Sequence, residues 1–152
     1  MAALLAGDTI VDEKHPLRVL WVDRAERVRA PRHVLAFEKP FFEVRECHSL
    51  ADGIEAGSRD RYDVVVLATD LPDAWPSDVV LRFTRDVDNI PVIVIAEGSP
   101  DHPALKQADG HPFCVVDRAR ADPTSMRRLV ISAGVLARTL RSTAQDQEAS
   151  HF

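Results

Sequence analysis

Tyr62-Asp63-Val64-Val65-Val66-Leu67-Ala68-Thr69-Asp70-Leu71-Pro72-Asp73 is the stretch on which the fold turns. Residues 64–68 are apolar without alternation and rich in β-branched side chains. Such a run reads as a strand buried on both faces, the kind found inside a parallel sheet covered by helices. Leu71-Pro72-Asp73 then breaks it.

Two similar runs flank this strand. Leu17-Arg18-Val19-Leu20-Trp21-Val22 ends at Asp23-Arg24, and Pro91-Val92-Ile93-Val94-Ile95-Ala96 ends at Glu97. Phe41 to Cys47 reads as a strand nearer an edge, and Phe113-Cys114-Val115-Val116 as the last strand. Helices are expected between them. The first runs from about Ala25 to Glu38, with Pro31 awkward inside it. Another starts at Ser49, a capping residue, with Asp52 in its first turn. A third starts near Pro76, and Val79, Val80 and Phe83 supply its apolar face. Only a short fourth helix fits between Pro100 and Gly110. Asp122-Pro123 opens the last, in which Met126, Leu129, Val130, Ala133, Leu136 and Leu140 recur at helical spacing. Five strand–helix alternations with right-handed crossovers predict an α/β, flavodoxin-like doubly wound parallel sheet of five strands in the order 2-1-3-4-5. The expected organisation is an N-terminal extension over 1–16, a domain over 17–141 and a polar, frayed tail over 142–152.

Composition fits one domain. The chain has 152 residues, 45% of them hydrophobic, and a formal charge of −5. That charge argues against a nucleic-acid partner. No apolar run reaches the ~18 residues of a membrane span, and the N-terminus lacks the basic start of a signal peptide, so a cytoplasmic protein with no membrane partner is expected. Cys47 and Cys114 lie in apolar surroundings and read as buried free thiols. The six histidines are scattered, and no P-loop, nucleophile elbow, Gly-x-Gly-x-x-Gly or metal-ligand spacing occurs. No catalytic residue, metal or cofactor is therefore expected.

In a doubly wound sheet, ligands bind at the carboxyl ends of the strands. Here those ends are Asp23-Arg24, Ala68-Thr69-Asp70, Ala96-Glu97 and Asp117-Arg118. Val-Leu-Trp-Val-Asp at 19–23, the Leu-Pro-Asp after the third strand and Ile-Pro-Val-Ile-Val-Ile at 90–95 together resemble the receiver domain of two-component response regulators, over about residues 17–141. The resemblance implies a phospho-acceptor Asp ending the third strand, an acidic pair after the first to hold Mg²⁺, a Thr or Ser after the fourth, and a Lys after the fifth. These positions fall on Ala68, Asp23-Arg24, Ala96 and Asp117, and the aromatic switch position falls on Cys114. Mg²⁺ needs hard oxygen ligands, and a guanidinium repels it. Asp70, Asp73 and Thr69 read as loop residues rather than substitute acceptors.

The resemblance thus implies a degenerate pseudo-receiver, not an enzyme. The expected function is a phosphorylation-independent interaction module in signal transduction. It would bind another signalling protein, or itself as a dimer, through the fourth helix, fifth strand and fifth helix, with Arg127, Arg128, Ile131, Val135 and Arg138 as the contact face. The alternatives are a small ligand in the degenerate pocket, oriented by Arg24, Asp70 and Asp117, or, as the weakest, a small flavodoxin-like enzyme. Arg24 is expected to pair with Asp23, Asp70 or Asp117. Asp117 is the first choice, because that pairing would exchange the receiver's acid-then-base polarity for base-then-acid.

Overall fold

The computed structural model describes residues 4–6, 9–11, 14–28, 37, 39–97 and 112–149. Two short strands, β1 (Leu4–Ala6) and β2 (Thr9–Val11), pair antiparallel. Then come β3 (Leu17–Val22), α1 (Ala25–Val28), β4 (Phe42–Cys47), α2 (Leu50–Arg59), β5 (Val64–Ala68), α3 (Pro76–Asp86), β6 (Val92–Ala96), β7 (Pro112–Asp117), a 3₁₀ turn at Arg118–Arg120, and α4 (Pro123–Ala149). The five long strands are parallel, in the order β4-β3-β5-β6-β7. Counted along those five, this is the expected 2-1-3-4-5.

The three central strands, β3, β5 and β6, bury both faces because their apolar runs do not alternate, whereas β4 exposes Glu43 and Arg45. Leu20, Val22, Val65, Leu67, Val92 and Val94 face α2 and α3, and pack with Leu50, Ala56, Val79, Val80 and Phe83. Their neighbours Leu17, Val19, Trp21, Val64, Val66, Ile93 and Ile95 face α4, meeting Met126, Val130 and Ala133. At Gly134 the helix comes close to β3: a Cβ there would lie 2.6 Å from the buried Leu17 Cδ2. Fully burying one Leu- or Val-sized side chain contributes about 1.5–3 kcal/mol, so this double layer is the main source of stability.

The expected caps form. Ser49 Oγ accepts from Asp52 N at 3.1 Å, and Asp122 Oδ2 accepts from Ser125 N at 3.1 Å. The cysteines are free; Cys47 is buried and Cys114 half-buried, and burial pushes both thiols up.

Regular elements are present at both ends. Part of the extension over 1–16 is the β1–β2 pair, where Thr9-Ile10-Val11 supplies β-branched residues. The region from 142 continues α4, which runs to Ala149. Its last turns contain no Gly or Pro, and Ala, Gln and Glu propagate a helix already nucleated on the sheet. The first helix is described only over Ala25–Val28, and the expected short fourth helix lies outside the described residues.

Candidate functional site at the carboxyl edge of the sheet

The first residue past β3 is Asp23, whose N–H continues the ladder to Cys47 O at 3.0 Å. Its side chain is only 1% exposed. A carboxylate so buried needs a partner, and Arg118 supplies it, with Nη1 2.9 Å from Oδ2 and Nη2 3.0 Å from Oδ1. Asp23 Oδ1 also accepts the Arg24 N–H at 2.8 Å. His48 Nδ1 lies 3.1 Å from Asp23 O.

Arg118 reaches Asp23 because of how β7 ends. Asp117 closes the strand and turns its carboxylate onto the 3₁₀ turn, accepting Ala119 N at 3.1 Å. The residue after it is thereby sent back over the sheet. β5 and β6 stand between β7 and β3, and they end in Ala68 and Ala96, both buried. Neither has a side chain beyond Cβ to occupy the space a long arginine crosses.

Other charges join this pair into one chain of contacts. Arg118 Nε donates to Glu97 Oε1 at 3.2 Å, and Arg27 Nη1 donates to the same oxygen at 2.7 Å. Arg27 Nη2 lies 3.5 Å from Asp70 Oδ2. Arg24 Nη2 meets Asp70 Oδ1 at 3.0 Å, and Arg24 Nε meets Asp70 O at 3.3 Å. Three guanidiniums and three carboxylates thus alternate around the carboxyl edge. Among the described residues, no group of three or more His, Cys, Asp or Glu is placed to hold a metal ion.

No protein-family model matches the sequence, and no characterised protein matches it by sequence comparison. Solved structures do match. The signal receiver domain of a Vibrio parahaemolyticus protein described as a Luxo repressor superposes with a TM-score of 0.71 at 15% identity, covering 84% of this chain and 97% of that one. The fold is that of the CheY-like receiver domains. A receiver domain protein from Methanospirillum hungatei JF-1 matches with a TM-score of 0.68 at 10% identity, covering 82% and 98%. The receiver domain of sensor histidine kinase PA1611 from Pseudomonas aeruginosa PAO1, which has a magnesium ion coordinated in its active-site cleft, matches at 0.61 and 13%, covering 78% and 98%.

In this CheY-like frame Asp23, Arg24, Ala68 and Ala96 all lie at the carboxyl edge, as the strand ends require. Arg24 pairs with Asp70, one of its three expected partners, and not with Asp117, the first choice among them. Asp117 is used up as a turn cap, one residue short of the side chain that reaches the site. The exchanged polarity therefore fails as well: an acid follows the first long strand and a base the last. Asp117, the expected last-strand position, lies one residue before Arg118, whose side chain enters the site. Arg27 and Glu97 were missed because nothing in their spacing marks a contact across 70 residues.

Asp73, read as an ordinary loop residue, accepts from Leu50 N at 2.8 Å and Ala51 N at 3.0 Å, at the start of α2. Burial alone raises this carboxyl, but those N–H groups outweigh it and hold it below the usual value. Thr69 is buried, with its N–H on Ile95 O.

The expected contact face on the last helix is largely turned inward. Val135 is buried, Ile131 packs partly against the core, and Arg127 stacks over Phe42 at 5.4 Å. Arg138 Nη2 is 2.8 Å from the buried Asp63, which also takes Arg141 and the Arg18 N–H. Burial by itself raises the Asp63 carboxyl, but the two guanidiniums and that N–H prevail and keep it below the usual range. Of the five residues expected on that face, only Arg128 is exposed. The exposed apolar residues of α4 are instead Leu136 and Leu140, the latter 61% exposed.

Proposed function

We propose that the chain is a phosphorylation-independent pseudo-receiver, a signalling module that acts by binding another protein or a second copy of itself. One observation carries this reading. The strand end where the resemblance puts the phospho-acceptor is Ala68, and the carboxylates around it are engaged by Arg24, Arg27 and Arg118. A methyl group accepts no phosphoryl group. In-line transfer also needs a metal to bridge the oxygens, and here Arg24 stands at one of the two acidic positions that the resemblance gives, while Arg118 forks the other, Asp23. A receiver frame kept without this chemistry is suited to recognition through its surface. Leu136 and Leu140, one turn apart on α4, and Trp75, 77% exposed ahead of α3, are apolar groups such a partner would cover. Among the described residues, no helix is long and apolar enough to cross a membrane.

The test is incubation with acetyl phosphate and Mg²⁺ followed by intact mass, together with light scattering. No added phosphoryl group is expected. If the partner is a second copy, a dimer is expected that Leu140→Glu weakens. A stoichiometric, Mg²⁺-dependent phosphoryl adduct would overturn the proposal.

A further inference from the structure

Glu97 differs from the other two carboxylates of the edge network. Asp23 is buried and forked by Arg118, and Asp70 is held by two arginines on its two oxygens. Glu97 is 46% exposed, and both its arginines meet a single oxygen, Oε1. An exposed ion pair of this kind contributes little, because water competes for both partners. Each donor has a second carboxylate besides Glu97. Arg118 is fixed through Nη1 and Nη2 by Asp23, which leaves Nε aimed at the Glu97 oxygen. Arg27 is steadied by Asp70 on one side and offers Nη1 to the same point. Two donors therefore converge on one place, and that place is filled by a half-exposed carboxylate. Donors held ready in advance lower the entropic cost of binding.

We propose that this seat is an exchangeable carboxylate site. Glu97 Oε1 occupies it at rest, and the carboxylate of a small acid or of a peptide C-terminus replaces it between Arg27 and Arg118. The charge balance selects the ligand. With Glu97 in place, three arginines face three carboxylates. With Glu97 withdrawn, Arg24, Arg27 and Arg118 exceed Asp23 and Asp70 by one charge, which one carboxylate neutralises and a phosphate dianion overshoots. Guanidinium is weakly hydrated and matches carboxylate geometry, so the exchange costs little desolvation. The inference does not depend on the interaction-module reading: the seat exists whether or not the chain is phosphorylated or has a protein partner.

The arginine Nε–H signals of the ¹⁵N-labelled full chain report the seat directly, once Arg27→Lys and Arg118→Lys have assigned them. Acetate, acetyl-triglycine, its amide and inorganic phosphate are titrated at constant ionic strength against chloride. Acetate is expected to shift the Arg118 and Arg27 signals saturably, and chloride and the amide are not. Acetyl-triglycine binding more tightly than acetate assigns the seat to peptide ends; the reverse order assigns it to small acids. Glu97→Gln removes the resident carboxylate with little change of shape, and it is expected to tighten acetate on the order of fivefold, as loss of a weak exposed competitor should. Adding Arg27→Gln should cancel that gain. Glu97→Ala gives the same comparison independently of the glutamine amide. The proposal is overturned by any of three results: no saturable shift in the Glu97 variants, equal affinity with and without Glu97, or phosphate binding more tightly than acetate.

Discussion

Replacing Arg118 by Met tests the central element of the site. The change keeps an apolar stem of similar length and removes the guanidinium that forks Asp23. Asp23 is then a carboxylate 1% exposed whose remaining contact is the Arg24 N–H at 2.8 Å. Removing one partner of a buried ion pair costs roughly 3–5 kcal/mol. Arg118 is itself partly exposed, and Asp23 keeps a backbone donor, so the lower end applies, about 3 kcal/mol. In a domain of this size each kcal/mol moves Tm by about 2–4 °C, which puts the expected fall near 6–12 °C. Circular-dichroism melting at neutral pH measures it. Two controls separate the ion pair from general damage. Asp117→Ala removes only a turn cap and should cost about 1 kcal/mol. Adding Asp23→Asn to Arg118→Met should recover part of the loss, because no uncompensated charge stays buried. A fall below about 2 °C for Arg118→Met, or a larger fall for Asp117→Ala, would show that Arg118 does not hold the site together.

Other outcomes follow from the same contacts. Ala68→Asp should not restore phosphorylation, since Arg118 captures the new carboxylate and no second acid follows Asp23; a Mg²⁺-dependent phosphoryl adduct by intact mass would contradict this. Because the Asp63 carboxyl is held below 3.8, its contribution is present above that ordinary value and is lost as pH falls through the lower, folded one. Acid unfolding of Asp63→Asn should therefore be less steep below that value, as read from Tm against pH, and an unchanged slope would remove Asp63 from the account. Gly134→Ala gains about 1 kcal/mol of helix propensity but presses on Leu17. Overpacking of roughly 1–3 kcal/mol should make it net destabilising in a urea titration, and Leu17→Ala should suppress that penalty. Asp73→Ala removes the acceptor for the Leu50 and Ala51 N–H groups and should cost about 1 kcal/mol in the same titration.

Much of the architecture was legible because it depends on local pattern. Val64 to Ala68 and Val92 to Ala96 carry no polar residue, so they are buried on both faces and only a doubly covered parallel sheet accommodates them. Ser49 and Asp122 announced their helices because a capping side chain bonds a backbone N–H two or three residues on. The placement of Asp23, Arg24, Ala68 and Ala96 at one edge follows from parallel strands alone.

The contacts at that edge were decided by the folded chain. Arg118 rather than Asp117 enters the site because a single turn after β7 reverses the direction of the next side chain, and one residue of offset exchanges a base for an acid. Asp73 caps a helix that begins 23 residues earlier, Arg27 meets Glu97 across 70, and Arg138 meets Asp63 across 75. Charged side chains pair with whatever opposite charge the sheet brings near, over a few ångströms and without regard to sequence separation. Apolar periodicity is written along the chain, and the sheet is legible in it; the partners of Asp23, Asp63 and Asp70 came into being only when its strands were laid side by side.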